Sequence, residues 1–360
     1  MTAPAPAVVQ QRFALDDLAR FCSAALRAAG ASAATADSVT RALVHGSRIG
    51  IDSHGVRFLP HYVETLLSGR VNPRPNLRMT RRFGAVATLD ADYGHGALAT
   101  YTAIHHAVDL AEDAGVGAVG IVRSSHFGSG GAYALAAAER DAIGVVMCNT
   151  DSFVRLHDGA ARFHGTNPIS CAIPNPGGRP WMLDMATSSM PRNRVVLYET
   201  LGRALPPGIA SDGAGEDTTD PGKVEMLAPL GGAFGFKGAA LAGMIEIFSA
   251  VLTGMQLSFE LAPMFENLEE TRDMGAFVLA IRSDAFVPPN VFADGMRRYL
   301  DALRASPARA GAEVLAPGDR EWAEADARAT LGAPLDPETV AEFRSLAERY
   351  GLEAPGALDG

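Results

Sequence analysis

The segment Ile51-Asp52-Ser53-His54-Gly55-Val56-Arg57 closes a helical run and brings a carboxylate, a hydroxyl, an imidazole, a glycine and a guanidinium together. Imidazole ordinarily titrates near neutrality, so at the mouth of a cleft it can both take and give a proton. His54 is therefore the first candidate for proton transfer, with Ser53 as an orienting hydroxyl. The plainer alternative is a histidine that merely caps the preceding helix. Consecutive residues do not form the nucleophile-base pair of a hydrolase by default, so Ser53-His54 is poor support for an esterase.

A second group of segments combines glycine, small hydroxyls and charge where apolar strands end. Arg123-Ser124-Ser125-His126-Phe127-Gly128-Ser129-Gly130-Gly131 offers a rival histidine, His126. Its Phe127, Gly128, Ser129 and Gly130 precede a helix, where unshielded backbone N–H groups suit a phosphate; a simple strand-to-helix turn is the alternative. Asp184-Met185-Ala186-Thr187-Ser188 ends a strand with a carboxylate and two hydroxyls, able to bind ribose or an amide. Lys237, in Phe236-Lys237-Gly238, reads on its own as a solvated lysine.

Gly115-Val116-Gly117-Ala118-Val119-Gly120 matches the G-x-G-x-x-G dinucleotide pattern letter by letter. That pattern needs a strand before it and a helix after it. Here a helical pattern precedes and an apolar strand follows, so the segment reads as a helix stop and strand entry.

These segments, with Gly165-Thr166-Asn167-Pro168, Leu205-Pro206-Pro207-Gly208, Thr218-Thr219-Asp220-Pro221, Pro229-Leu230-Gly231-Gly232 and Pro317-Gly318-Asp319, resemble in order the type-2 malate/L-lactate dehydrogenase family. That family also contains ureidoglycolate dehydrogenase, diketogulonate reductase and piperideine/pyrroline-2-carboxylate reductase. The resemblance implies a mixed α/β (α+β) fold whose NAD(P)-binding sheet domain is not a Rossmann unit. It implies hydride transfer between NAD or NADP and a small 2-oxo acid, 2-hydroxy acid or cyclic imine, in a homodimer. His54 then exchanges the proton, or His126, as in the ureidoglycolate dehydrogenase branch; Thr166 is the substrate hydroxyl. Phe127 to Gly130, Thr150, Asp184 to Ser188, Phe236, Lys237, Gly318, Asp319 and Arg320 are assigned to the cofactor. A cofactor-binding relative without turnover is the competing class.

The substrate clamp departs from the family pattern. Many relatives place an arginine where this chain has Phe58, and Arg57 stands one place earlier; Arg48 is likewise displaced beside Ile49-Gly50. The usual Gly-Lys or Gly-Asp after Thr187-Ser188 is Asn193-Arg194. Arg57 and Arg48 are expected to reach the substrate from these shifted positions, with Phe58 as an apolar wall, because phenylalanine cannot grip a carboxylate as guanidinium does.

Helical spacing predicts helices at Leu15 to Ala29, Ala33 to Gly46 and Pro60 to Leu67, hence an N-terminal helical lobe over 1–79. A central sheet domain follows over 80–288, with strands at Ala85 to Asp90, Val116 to Val122, Ile143 to Cys148, Ser170 to Ile173 and Trp181 to Asp184. Its helices are Gly96 to Ala114, Gly131 to Asp141 and Lys237 to Leu252; a helical segment closes 289–360. The apolar face of the first helix is a candidate dimer contact. The 360 residues carry a formal charge of -10, which argues against nucleic-acid binding. Cys22, Cys148 and Cys171 suit no disulfide framework or cysteine metal site, and no metal is expected. Met1 to Gln11 reads as a loose tail rather than a signal, and no membrane span is apparent; a cytoplasmic enzyme is expected.

Overall fold

The computed structural model describes residues 11–358; the expected tail, apart from Gln11, lies outside the described residues, as do the side chains of Arg81, Arg82 and Asn193. Leu15–Ala28 (α1) buries Leu18, Phe21, Cys22, Ala25 and Leu26, one stripe of a 3.6-residue repeat. That stripe is covered by the chain itself, so the face expected as a dimer contact is core. Ser32 caps Ala33–Arg48 (α2) by accepting the Thr35 N–H. The helix runs through Gly46, where the sequence pattern ended. Glycine is needed there because a Cβ would stand 2.7 Å from the His54 carbonyl oxygen. Two 3-10 turns, Asp52–His54 and Val56–Phe58, lead into Leu59–Leu67 (α3).

The main sheet is built from Arg78–Phe83 (β1), Val86–Asp90 (β2), Val116–Ser124 (β3), Ala142–Cys148 (β4), Ile169–Ile173 (β5), Trp181–Met185 (β6) and Met274–Arg282 (β7). Its order is β1-β2-β3-β7-β4-β5-β6. The β2 and β3 strands are parallel, joined by the crossover helix Gly96–Ala114 (α4), and all the other neighbours are antiparallel. A Rossmann unit needs consecutive parallel strands, so this sheet is of another type. Gly115, at φ +77°, ends α4 by donating to the Ala111 carbonyl, and β3 begins at the next residue. A Cβ on Gly117 would lie 2.1 Å from the Ala107 carbonyl oxygen, so this glycine lets α4 sit close on the sheet.

Sequence patterning misses β7, the strand at the centre of the sheet. Met274 to Val278 is an unbroken buried run, without the alternation that marks a half-exposed strand. Gly131–Ala138 (α5) packs on β4 and β5 and is buried throughout. Arg192–Thr200 (α6) and a small four-stranded sheet form a side layer around Val154, Met190, Val195 and Leu227. The long helix expected to Leu252 is α-helical over Phe236–Glu246 (α7) and then loosens into a π turn, Ile247–Val251.

Pro289–Arg304 (α8), Asp319–Leu331 (α9) and Pro337–Tyr350 (α10) supply the expected C-terminal helices. They return to the N-terminal lobe: Gln11–Phe13 pairs with Ala333–Leu335, and the Phe21 and Phe343 rings lie 5.0 Å apart. A single buried cluster runs from Phe13 through the sheet to Ala347. Among the described residues, no helix is long and apolar enough to cross a membrane.

Candidate active site

Sheet direction gathers the candidate residues. Because β7 is antiparallel to both β3 and β4, Ser125-His126 and Asn149-Thr150 leave the sheet at the same end. The pairings Met147 with Ile169 and Ile169 with Met185 bring Thr166-Asn167 and Ala186-Thr187 to that end as well. The cleft there encloses about 800 Å³, including its open mouth. His54, His126, Thr150, Thr166 and Ala186 line it, facing apolar surface from Phe58, Phe153, Met264 and Phe265.

The His54 loop is tied down from two sides. Gly55 passes so close to α2 that a Cβ would stand 2.3 Å from Ser47 Oγ, which accepts the Val56 N–H at 2.9 Å. Asp52 receives both prongs of the buried Arg328 of α9, at 2.5 and 2.9 Å, and Arg328 also donates to the Ser47 carbonyl. No local pattern links Asp52 to Arg328, so sequence reading misses this clamp.

Both histidines have Nδ1 engaged, leaving Nε2 for a ligand. His54 Nδ1 is 2.9 Å from Ser53 Oγ, and His126 Nδ1 is 2.8 Å from the Tyr62 hydroxyl. Their ring centres are 5.9 Å apart, and Phe58 stacks beside each, at 5.8 and 5.6 Å. Burial lowers the pKa of His54, while the Asp184 charge pulls the other way. Burial, followed by the charges of His54 and Arg272, holds His126 well below the usual imidazole range. Both are thus favoured as neutral bases. Tyr62 carries no signal of its own in the sequence.

The arginines stand elsewhere than expected. Arg57 is exposed in an adjoining groove with Glu338 and Glu342, and its charge bears on Asp336 and Glu342 of the C-terminal region. Arg48 acts on His45 and Tyr101 in the helical layers. Arg57 lies in a 3-10 turn that follows a break at Gly55, and residue spacing does not say which way a side chain points from such a turn. The cation lining the cleft is Arg192 of α6, held 4.8 Å over the Phe153 ring. Asp151 also lines the cleft and pairs with the buried Arg272 at 2.5 Å.

Asp184 is spent within the protein. It accepts from Ser170 Oγ at 2.6 Å, Ser129 Oγ at 2.5 Å and the Gly131 N–H at 3.0 Å, which fixes the glycine loop against β5 and β6. Thr187 Oγ1 is likewise bonded to the Thr166 and Asn167 carbonyls, and Ser188 Oγ to the Met190 carbonyl. Met185 ends β6, carrying the chain to Ala186 in the cleft wall. Lys237 is exposed at the start of α7, 5.4 Å over the Phe234 ring and close to Phe236. Gly318 begins α9 beside the start of β6, where Met182 N–H meets the Pro317 carbonyl; Asp319 pairs with Arg304 and Arg320 is exposed.

The glycine loop suits an anionic cofactor. Phe127 is buried beneath it, and Gly128 has φ +80°. The N–H groups of Gly128, Ser129 and Gly130 meet no protein acceptor among the described residues, as phosphate binding requires.

A family model described as malate/L-lactate dehydrogenase matches residues 13–344. Malate dehydrogenase of Pyrococcus abyssi is 32% identical over 95% of this chain and 96% of its own. The (2R)-3-sulfolactate dehydrogenase (NADP(+)) of Chromohalobacter salexigens is 34% identical over 78% and 82%. Among solved structures, sulfolactate dehydrogenase from Methanocaldococcus jannaschii superposes with a TM-score of 0.89, at 28% identity, covering 95% of this chain and 98% of that one. The Δ1-piperideine-2-carboxylate reductase of Pseudomonas syringae gives 0.83 at 27% identity, covering 94% and 99%. The chain is an oxidoreductase, and it belongs to the malate/L-lactate dehydrogenase family.

Proposed function

We infer that this protein is an NAD(P)-dependent dehydrogenase or reductase that interconverts a 2-oxo acid and its 2-hydroxy acid. Bound nicotinamide supplies or accepts the hydride. The observation that carries the residue roles is the pair of half-buried histidines facing one cleft with Nδ1 occupied and Nε2 free. In alcohol oxidation, neutral His54 takes the hydroxyl proton at Nε2 while Ser53 holds the ring. In reduction, the same nitrogen returns it. Tyr62 orients His126, which binds the substrate oxygen or exchanges its proton in place of His54. Arg192 attracts the carboxylate, and Phe58 and Phe265 exclude water around the reacting carbon.

A second reading, reduction of a cyclic imine, is supported by the likeness to the piperideine-2-carboxylate reductase and by the aromatic wall at Phe58. Assaying 2-oxo acids and cyclic imines with NADH and NADPH separates the two readings. His54→Ala should lower kcat about 10²- to 10⁴-fold with cofactor affinity preserved. Full turnover in that variant, with loss in His126→Ala, would exchange the two roles.

We propose a reducing cytoplasm as its location, a reading supported by three cysteines, Cys22, Cys148 and Cys171, that pair with no other. We assign the homodimer contact to the exposed Ile247, Val251 and Leu252 at the π turn together with the exposed Phe259.

A further inference from the structure

Glu246 ends α7 and is only 6% exposed, with no cation among its hydrogen-bond partners. Its Oε1 accepts from Ser258 N at 2.6 Å and Asn149 Nδ2 at 3.3 Å. Its Oε2 accepts from Ser258 Oγ at 2.5 Å and Asn167 Nδ2 at 2.7 Å. A carboxylate only accepts, so Asn167 must turn its amide nitrogen toward Glu246. The second amide hydrogen goes to the Ala242 carbonyl at 3.1 Å. The amide oxygen is thereby left to face Thr150, whose N–H it accepts at 3.2 Å. Thr150 Oγ1 in turn accepts the Thr166 N–H at 2.9 Å, and its own proton takes no part in that bond. Thr166 Oγ1 is 3.4 Å away, with either hydroxyl able to donate to the other, and both threonines line the cleft.

We infer that Glu246 is a positioning residue: it fixes Asn167 with the amide oxygen on the Thr150 N–H, and so holds Thr150 where its hydroxyl, which accepts the Thr166 N–H, can give its proton to an acceptor oxygen bound in the cleft. That oxygen belongs to the substrate or to the nicotinamide amide, and the inference rests on the oxidoreductase reading above. Asn167, at φ +29° and with its backbone carbonyl bonded to Thr187, is held too firmly for its side chain to be an independent surface group. The competing account is that Glu246 merely pins the Ser258 loop to α7.

The test is an exchange of partners, read by kcat and KM for a 2-oxo acid and by NADH and NADPH affinity from fluorescence titration. Glu246→Gln faces one NH₂ group with another. Asn167 then turns over and opposes Thr150 N–H with a donor, and kcat/KM or cofactor affinity should fall about 10- to 100-fold. A loss confined to the 2-oxo acid kinetics assigns the acceptor oxygen to the substrate; a loss in cofactor affinity assigns it to the nicotinamide. Asn167→Asp alone brings two carboxylates together and should also impair the enzyme. The double variant Glu246→Gln/Asn167→Asp restores donor to acceptor between residues 246 and 167 and at the Thr150 N–H, leaving only the Ala242 carbonyl without its donor, and should recover most of the activity lost in either single variant.

Additive losses in the double variant, or a Glu246→Gln enzyme matching wild type, would overturn the inference. Should Glu246→Gln not fold, Thr150→Ser and Thr150→Val decide. Serine keeps the donor and should retain activity, valine should lose about tenfold, and a valine enzyme as active as wild type refutes the role. A wild-type enzyme inert with every 2-oxo acid, 2-hydroxy acid and imine would instead refute the functional reading, while the cofactor titrations would still report on Glu246.

Discussion

Replacing Gly117 with alanine tests whether the Gly115 to Gly120 segment packs a helix or binds a dinucleotide. The new Cβ would lie 2.1 Å from the Ala107 carbonyl oxygen and 2.7 Å from Leu110 Cβ, whereas ordinary contact begins at 3.4 Å. The atom struck first is backbone of α4, so the helix must retreat by about an ångström. Overpacking costs about 1 to 3 kcal/mol, and a backbone obstacle puts this site near the upper end. With an unfolding entropy of about 2.1 cal/mol/K per residue, a chain of this size loses roughly 4 °C in Tm for about 3 kcal/mol. The cleft lies beyond Ser124, about 23 Å along β3 from Gly117 at about 3.3 Å per residue, so cofactor affinity should stay within about twofold. Differential scanning fluorimetry and NADH or NADPH fluorescence titration on the same preparation measure both. A tenfold loss of cofactor affinity with an unshifted Tm would show that this segment touches the dinucleotide after all.

The pH dependence follows from the lowered histidine pKa values. Alcohol oxidation needs neutral imidazole, so kcat/KM should stay level as pH falls through about 6.5 and decline only below it, a limb set by the depressed pKa; an acid limb centred above 7 would contradict the burial argument. Arg192→Met should raise KM for a 2-oxo acid about tenfold or more, whereas Arg57→Ala should leave it near wild type, and the reverse pattern would return the clamp to the 3-10 turn. Val251→Glu with Leu252→Glu should shift the mass measured by light scattering from dimer to monomer; a wild-type monomer that is fully active would remove the proposed interface.

Local chemistry was legible in the sequence wherever a residue acts through its neighbours. The α1 stripe, the Gly115 stop and the strand end at Cys148 announce themselves by spacing, and the strand expected to end at Asp184 runs one residue further, to Met185. Members of the candidate site were legible as well, since His54, His126, Thr150, Thr166 and Ala186 all reach one cleft. What sequence reading missed is carried by distant partners. Arg328 meets Asp52 from α9, Tyr62 reaches His126 from α3, and Arg192 enters from a side layer. Arg57 was expected at the substrate but stands in the adjoining groove, because it sits in a 3-10 turn between helices, where spacing does not fix the direction of a side chain. Asp184 shows the same limit from the other side. Its position at a strand end suggests a ligand contact, but two serine hydroxyls and an N–H already hold it.

The late arrival of β7 has a consequence for how the enzyme comes into being. Val278 sits opposite Val119 on one side and Val146 on the other, so the middle of the sheet is made of residues far apart along the chain. Until synthesis has passed Arg282, β1 to β3 and β4 to β6 are separate half-sheets, each with an unpaired apolar edge open to wrong partners. Pairing across such long separations is slow, so the half-sheets should be the aggregation-prone species during refolding. The same insertion sets β3 and β4 two strand spacings apart, about 10 Å, and thereby sets the distance between the chain ends that carry His126 and Thr150. Completing the sheet and acquiring activity are then one event, and no half-built form of this chain can hold a working site.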